Sequence, residues 1–217
     1  SPACQPLKVP VRGPTRKGEM LPLSGHALRR WAVPAFLLLA GLSPASAHAL
    51  GNTTATFAGL GTAGYSGDSG LATVATMNVP RGIALLGDGS MLVADTGNNR
   101  IRKISTTGII TTVAGTGAAT STGDGLAANL ATINGPRDVA VAADGVTYYI
   151  AEGAGNRIRK VDSSGVITRV FGTGTAGSTG DGSAATSATL NAPSGVTVAP
   201  NGDLYVADTT GNRIRKL

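Results

Sequence analysis

Short runs in which apolar and polar positions alternate recur through most of the chain, each bounded by glycine. Residues 82–86 (GIALL) follow Pro80 and end at Gly87-Asp88-Gly89. Residues 90–95 (SMLVAD) come next, with Leu92 and Ala94 alternating with Val93. Residues 99–104 (NRIRKI) follow the Thr96-Gly97-Asn98 turn, and residues 109–114 (IITTVA) follow Gly108. A period of two, closed by Gly, Asp and Asn, predicts four short strands in an antiparallel meander. A Gly/Ser/Ala/Thr-rich loop, roughly 115–135, then leads into the same pattern again.

The pattern is a repeat. DTGNNRIRKI at 95–104 returns as EGAGNRIRKV at 152–161 and as DTTGNRIRKL at 208–217. Asn99, Asn156 and Asn212 open the shared NRIRK string, at spacings of 57 and 56 residues. Asp68, Asp124 and Asp181 keep the same register, as do Pro80, Pro136 and Pro193. Tandem four-stranded antiparallel units predict an all-β fold, a β-propeller, with repeats at about 56–111, 112–168 and 169–217. Residues 53–58 (TTATFA) match the fourth strand of a unit, and 195–217 match the first three, so an N-terminal strand is expected to complete the last blade. Three blades are visible, whereas propellers typically use about four to eight. The expectation is a fragment of a ring of about six blades, with a homodimer of two three-bladed chains as the alternative.

The region before the repeats is different in kind. Residues 1–19 read as an unstructured leader or upstream extension, and the chain does not begin with Met. From Met20, Arg29-Arg30 precede the apolar run WAVPAFLLLAGL at 31–42, which ends in Ala45-Ser46-Ala47. A basic flank, a short apolar core and an A-x-A site predict a secretory signal peptide over 20–47. The run is shorter than the roughly 20 residues of a membrane span, so no stable span is expected after cleavage. The folded domain is then 48–217, secreted or periplasmic.

Charge and cysteine usage sharpen this division. The net charge of +6 is concentrated in residues 1–47, where six basic residues face one acid; residues 48–217 hold twelve and eleven. A basic pI that belongs to the leader, with only 4% aromatic residues, argues against nucleic acid as a partner. Cys4, His26 and His48 all precede the repeats, so the repeats contain no disulfide, thiolate metal site or His/Cys nucleophile.

Several repeated residues could carry chemistry. Asp95, Glu152 and Asp208 end the second strand of each unit and are read as structural turn residues that hold amides two positions on. They are also placed to face Arg100, Arg157 and Arg213 of the neighbouring strand. With Arg102, Arg159 and Arg215, these arginines would form a basic ring for a polyanion, or an exposed charged strand that discourages sheet pairing. Asp68, Asp124 and Asp181, in the loops between units, are candidate binding residues or plain Asx turns; one carboxylate per loop is thin for calcium, which takes about six to eight oxygens. No other cofactor or metal is indicated. Asp144 and Asp162 read as turn residues. Asp138 stands where Gly82 and Gly195 stand in the other units, at the start of a strand expected to line the channel, and is the one unrepeated candidate.

The string GDGLAANLATINGPRDVAVAADGVTYYIAEGAGNRIRKVDSSGVITRVFGTG at 123–174 resembles NHL repeats, in the long form of secreted bacterial and teneurin-like proteins. The likeness covers 53–217. It implies a propeller that serves as an extracellular platform for a protein or glycan ligand. Alternatives carried by the same family are a lactonase- or lyase-like enzyme, with part of its site in other blades, and an RNA- or polyanion-binding propeller. Fold alone does not choose among them.

Overall fold

The computed structural model describes residues 54–217; the leader and the predicted signal peptide lie outside the described residues. Twelve strands follow one another: β1 (Gly70–Leu71), β2 (Pro80–Leu85), β3 (Met91–Asp95), β4 (Arg100–Ile104), β5 (Ile109–Ala114), β6 (Pro136–Val141), β7 (Tyr148–Glu152), β8 (Arg157–Val161), β9 (Ile167–Phe171), β10 (Gly195–Val198), β11 (Leu204–Asp208) and β12 (Arg213–Lys216). They form three antiparallel sheets, β1-β5-β4-β3-β2, β6-β7-β8-β9 and β10-β11-β12. The predicted meanders are therefore present as three blades.

The third strand of each blade starts after a left-handed turn that only a few residues tolerate. Asn99, Asn156 and Asn212 sit at φ of 52°, 52° and 53°. Asparagine is among the non-glycine residues that adopt this conformation most readily, which accounts for its place before each RIRK strand. Its side chain also works between blades. Asn99 Oδ1 accepts the Gly135 amide and Asn156 Oδ1 the Ala192 amide, both at 2.9 Å.

The loops between blades are more ordered than a Gly/Ser-rich composition predicts. Gly70 and Leu71 pair with Ile110 and Ile109, adding β1 outside β5. In the second blade the Ala127–Val166 bridge does the same. In the first two blades the crossing loop thus covers the outermost strand of the blade it enters, where an open ladder would otherwise invite pairing with another chain.

Of the strand predicted at 53–58, the described residues 54–58 form none. Gly59 and Leu60 instead donate to Ala72 and Ala75 carbonyls, as Gly115 and Thr116 do to Ala128 and Ala131 one repeat later. The segment occupies the right place for the end of a fourth strand. It lacks a hydrogen-bonded third strand beside it, and a lone extended segment has no ladder to join. Among the described residues β12 carries no fourth strand either.

The core lies between blades. Leu92, Ala94 and Ile101 of the first blade pack on Val139, Tyr148, Ile150 and Val161 of the second. Ala151, Ile158 and Phe171 of the second pack on Val196, Leu204 and Val206 of the third. Each large aliphatic side chain so buried contributes about 1.5–3 kcal/mol. Counterparts on the two outward faces are exposed: Ile83 is 60% exposed where Val139 is 3%, and Ile214 is 71% exposed where Ile158 is 0%.

Candidate functional site

A single arrangement of charge is built three times. β4 is bulged against β5 between Ile101 and Arg102, and β8 against β9 between Ile158 and Arg159. The guanidinium of Arg102 lies between Asp68 of the crossing loop, at 2.7 Å, and Asp95 at the end of β3, at 3.4 Å. It also donates to the carbonyls of Ser66 at 3.0 Å and Thr76 at 3.5 Å. In the second blade Arg159 lies between Asp124 at 2.8 Å and Glu152 at 3.3 Å, with the Thr122 and Thr132 carbonyls at 3.2 and 2.8 Å. In the third, Arg215 joins Asp181 at 2.8 Å to Asp208 at 3.7 Å.

The strand-end acid completes the clamp from the other side. Asp95 accepts the Asn78 amide at 2.7 Å, Glu152 the Asn134 amide at 3.3 Å and Asp208 the Asn191 amide at 2.6 Å. One arginine and one acid thereby hold both limbs of each crossing loop against the blade.

The arrangement differs between blades in its packing. Tyr65 lies under Arg100 and Arg102, with ring centres 3.8 and 4.9 Å from the two guanidinium carbons, and donates to Asp68. Burial alone would raise the Asp68 pKa, but Tyr65, Thr112 and Arg102 outweigh it and hold the carboxyl below its ordinary value. Ser121 takes the place of Tyr65 in the second blade and hydrogen-bonds Glu152. Burial raises the Glu152 pKa, opposed by Ser121, Arg159 and the Asn134 amide.

These contacts correct several sequence expectations. The partner of Asp95, Glu152 and Asp208 is Arg102, Arg159 and Arg215, rather than Arg100, Arg157 and Arg213. Cross-strand register does place Asp95 opposite Arg100 and Glu152 opposite Arg157. The long side chain two positions on reaches back diagonally, and the bulge at that residue re-aims it. Arg100 instead donates to the Asn98 and Thr116 carbonyls, Arg157 to Gly155, Ser121 and Thr173, and Arg213 to Ser178. The strand-end acids hold loop amides 17 or 18 positions back rather than turn amides two positions on.

The second arginine of each RIRK strand is not part of an open basic ring, although Arg213 and Lys216 of β12 are exposed. The side chains of Arg102 and Arg159 are 0% exposed and that of Arg215 is 6%. Asp68, Asp124 and Asp181 face these arginines, so they are not plain Asx turns and their inward oxygens are taken. Among the described residues no three His, Cys, Asp or Glu side chains group closely enough to hold a metal ion.

Asp138 is on β6, beside Gly82 and Gly195 of the neighbouring blades. Its Oδ1 accepts the Val139 amide and its Oδ2 the Val196 amide, each at 2.9 Å. The unrepeated acid is thus a strap between first strands, and a Cβ at Gly82 would collide with it. Asp144 and Asp162 accept their own turn amides, as expected.

Antiparallel blades packed face to face through their sheets define a β-propeller architecture. The family description "Teneurin NHL domain" matches residues 61–122 and 116–180, and "NHL repeat" matches 190–217. The chain belongs to the NHL repeat family. No curated protein matches it in sequence. Among solved structures it is similar to a Bacteroides thetaiotaomicron protein of unknown function, at 27% identity and a TM-score of 0.54 over 59% of this chain and 32% of that one. An auxiliary nutrient binding protein from Bacteroides ovatus aligns at 17% identity and a TM-score of 0.53, over 67% and 38%. One from Bacteroides thetaiotaomicron aligns at 20% and 0.51, over 62% and 36%. The chain therefore spans about a third of the length of these structures.

Proposed function

We propose that the chain is an extracellular or periplasmic binding scaffold, engaging a protein or a glycan through the face formed by the crossing loops and the β3–β4, β7–β8 and β11–β12 turns. The observation that carries this reading is the threefold clamp. The repeated charges are internal supports, and what they support is a face of small side chains. Thr62, Ala118 and Thr175 occupy matching, exposed places on it. Asn98 fixes the loop to the neighbouring turn by donating to the Gly64 carbonyl at 2.7 Å. A rigid surface that loses little freedom on binding suits a partner recognised by hydrogen bonds.

The polyanion reading loses its support, because the deepest arginines are buried and already paired. A lactonase or lyase has no candidate centre among residues 54–217, which hold neither histidine nor cysteine. No helix among the described residues is long and apolar enough to cross a membrane. In the same proposal, residues 20–47 direct export, residues 48–217 form the folded domain, and further blades cover the two outward apolar faces in a ring of about six.

The test is saturable binding of the full chain on arrays of secreted proteins and glycans. Ala118→Arg with Thr175→Arg should abolish a specific signal, while Thr106→Arg, at the opposite ends of the strands, should leave it intact. Equal loss from both variants, or no saturable ligand, refutes the face assignment.

A further inference from the structure

At the opposite ends of the strands, a cleft of about 450 Å³ opens between the first and second blades. That volume is within the roughly 300–1,000 Å³ typical of small-molecule sites. Its apolar walls include Leu92, Val113 and Val161, and its rim carries Asp144 and Asp162. The clamps play no part in it, and it is independent of the platform reading.

Three features set the cleft apart from a plain seam between repeats. Tyr148 lines it, only 7% exposed, and its hydroxyl has no hydrogen-bond partner among the described residues. Burial alone moves its pKa, upward, with no bond or charge to offset it. Tyr148 stands where Met91 and Leu204 stand in the other blades, so a hydroxyl is placed here once and not as part of the repeat. The β6–β7 turn also holds one residue more than its counterparts, with Val146-Thr147 in place of the single Ser90 or Asp203. A repeated feature is explained by the needs of every blade; a tyrosine that is 7% exposed, with no protein partner for its hydroxyl and in one blade only, is not.

The charge at the rim selects the ligand. Lys103 is engaged by Asp88 at 3.0 Å, which leaves Asp144 and Asp162 to set the sign. The Thr147 side chain and the Val146 and Thr147 amides hold the Asp144 carboxyl below its ordinary pKa, so it is ionised. Asp162 uses Oδ1 for the Ser164 and Val166 amides, at 2.9 and 3.0 Å, and its Oδ2 is unbonded among the described residues. Because no group of three carboxylates among the described residues is arranged for a metal ion, the cation that fits is organic.

We propose that this cleft binds a small organic amine whose apolar body ends in a hydrogen-bonding group. The body lies between Leu92, Val113 and Val161, the inner polar group pairs with the Tyr148 hydroxyl, and the ammonium meets Asp144 and Asp162 at the rim.

The test is calorimetric titration of the full chain with tyramine as probe, beside phenethylamine, which lacks the inner hydroxyl, and 4-ethylphenol, which lacks the amine. Tyramine should bind saturably in the millimolar range and more tightly than either analogue. Tyr148→Phe should weaken tyramine about fivefold and leave phenethylamine unchanged, the size expected for one hydrogen bond. Asp162→Asn should weaken both amines and spare 4-ethylphenol. The melting temperature of Tyr148→Phe should match the parent, because the hydroxyl has no partner to lose. Equal binding of the three probes, no saturation by tyramine, or indifference of tyramine to Tyr148→Phe overturns the proposal.

Discussion

Replacing Arg159 by methionine removes the centre of the second clamp and keeps most of its apolar volume. Glu152 is then left with the Ser121 hydroxyl and the Asn134 amide, both already engaged, and with Arg157 as its only remaining counter-charge, which makes no ion pair with it among the described residues. Breaking a buried ion pair from one side costs about 3–5 kcal/mol, because the surviving charge stays buried. For a domain of this size about 2–4 °C of melting temperature is lost per kcal/mol, so thermal unfolding of the full chain should fall by about 6–20 °C at neutral pH. Protonating Glu152 relieves the strain. Its folded pKa is already raised above the ordinary 4.5 by burial, and removing Arg159 raises it further. Between the unfolded and folded values the folded state binds more protons, so stability rises as pH falls. The deficit of Arg159→Met should therefore shrink as the pH is lowered from 7 towards 5. The double variant Glu152→Met/Arg159→Met should recover most of the loss, since an apolar pair can replace a buried ionic one at little cost. A single-variant loss below about 1 kcal/mol, the value of an exposed pair, would refute the assignment of Arg159 as a buried structural clamp.

Other substitutions probe the remaining supports. Gly172 has φ +85°, and a Cβ there would lie 2.5 Å from the Asn156 carbonyl oxygen, so Gly172→Ala should cost more than the roughly 1–2 kcal/mol of left-handed backbone alone. Gly182, at φ +79° in open space, should cost no more than that when changed to alanine; urea melts of both variants compare them directly. Asn156→Ala removes a left-handed asparagine and its bond to the Ala192 amide, whereas Asn212 makes no such bond between blades among the described residues, so Asn156→Ala should destabilise more. In the parent, the Glu152 contribution to stability should be complete below pH 4.5 and decline as pH rises through the folded value, a slope that Glu152→Gln flattens in pH-dependent thermal melts.

The strands were legible because alternation and glycine punctuation repeat in register, and each predicted meander lies within a residue or two of the observed β2–β5. The clamps were half legible. The acids and arginines were visible as repeated charges, but their pairing depends on a diagonal reach and a bulge at Arg102 and Arg159, which adjacency in the repeat does not encode. Period-two alternation was the available signal: Arg102 shares a face with Val93 and Ile104, both buried beneath the crossing loop. The extra outer strand β1 was hidden because Gly70-Leu71 is too short to show alternation. Tyr65 carried no repeated signature, and Ser121, though it recurs as Ser178 in the third repeat, gave no sign in the sequence of its bond to Glu152. Tyr148 was visible as the odd residue of its column, yet nothing in a single string shows that its hydroxyl lacks a partner.

A platform requires crossing loops as firm as the blades they join, and amide hydrogen exchange on the full chain measures this residue by residue. The amides of Gly115, Ala128 and Asn134, all bonded within or through the crossing loop, should be protected to nearly the same degree as those of β7 and β8. In Arg159→Met the loop amides should lose protection before the strands do. Loop amides that exchange like free peptide in the parent chain, over protected strands, would contradict the account.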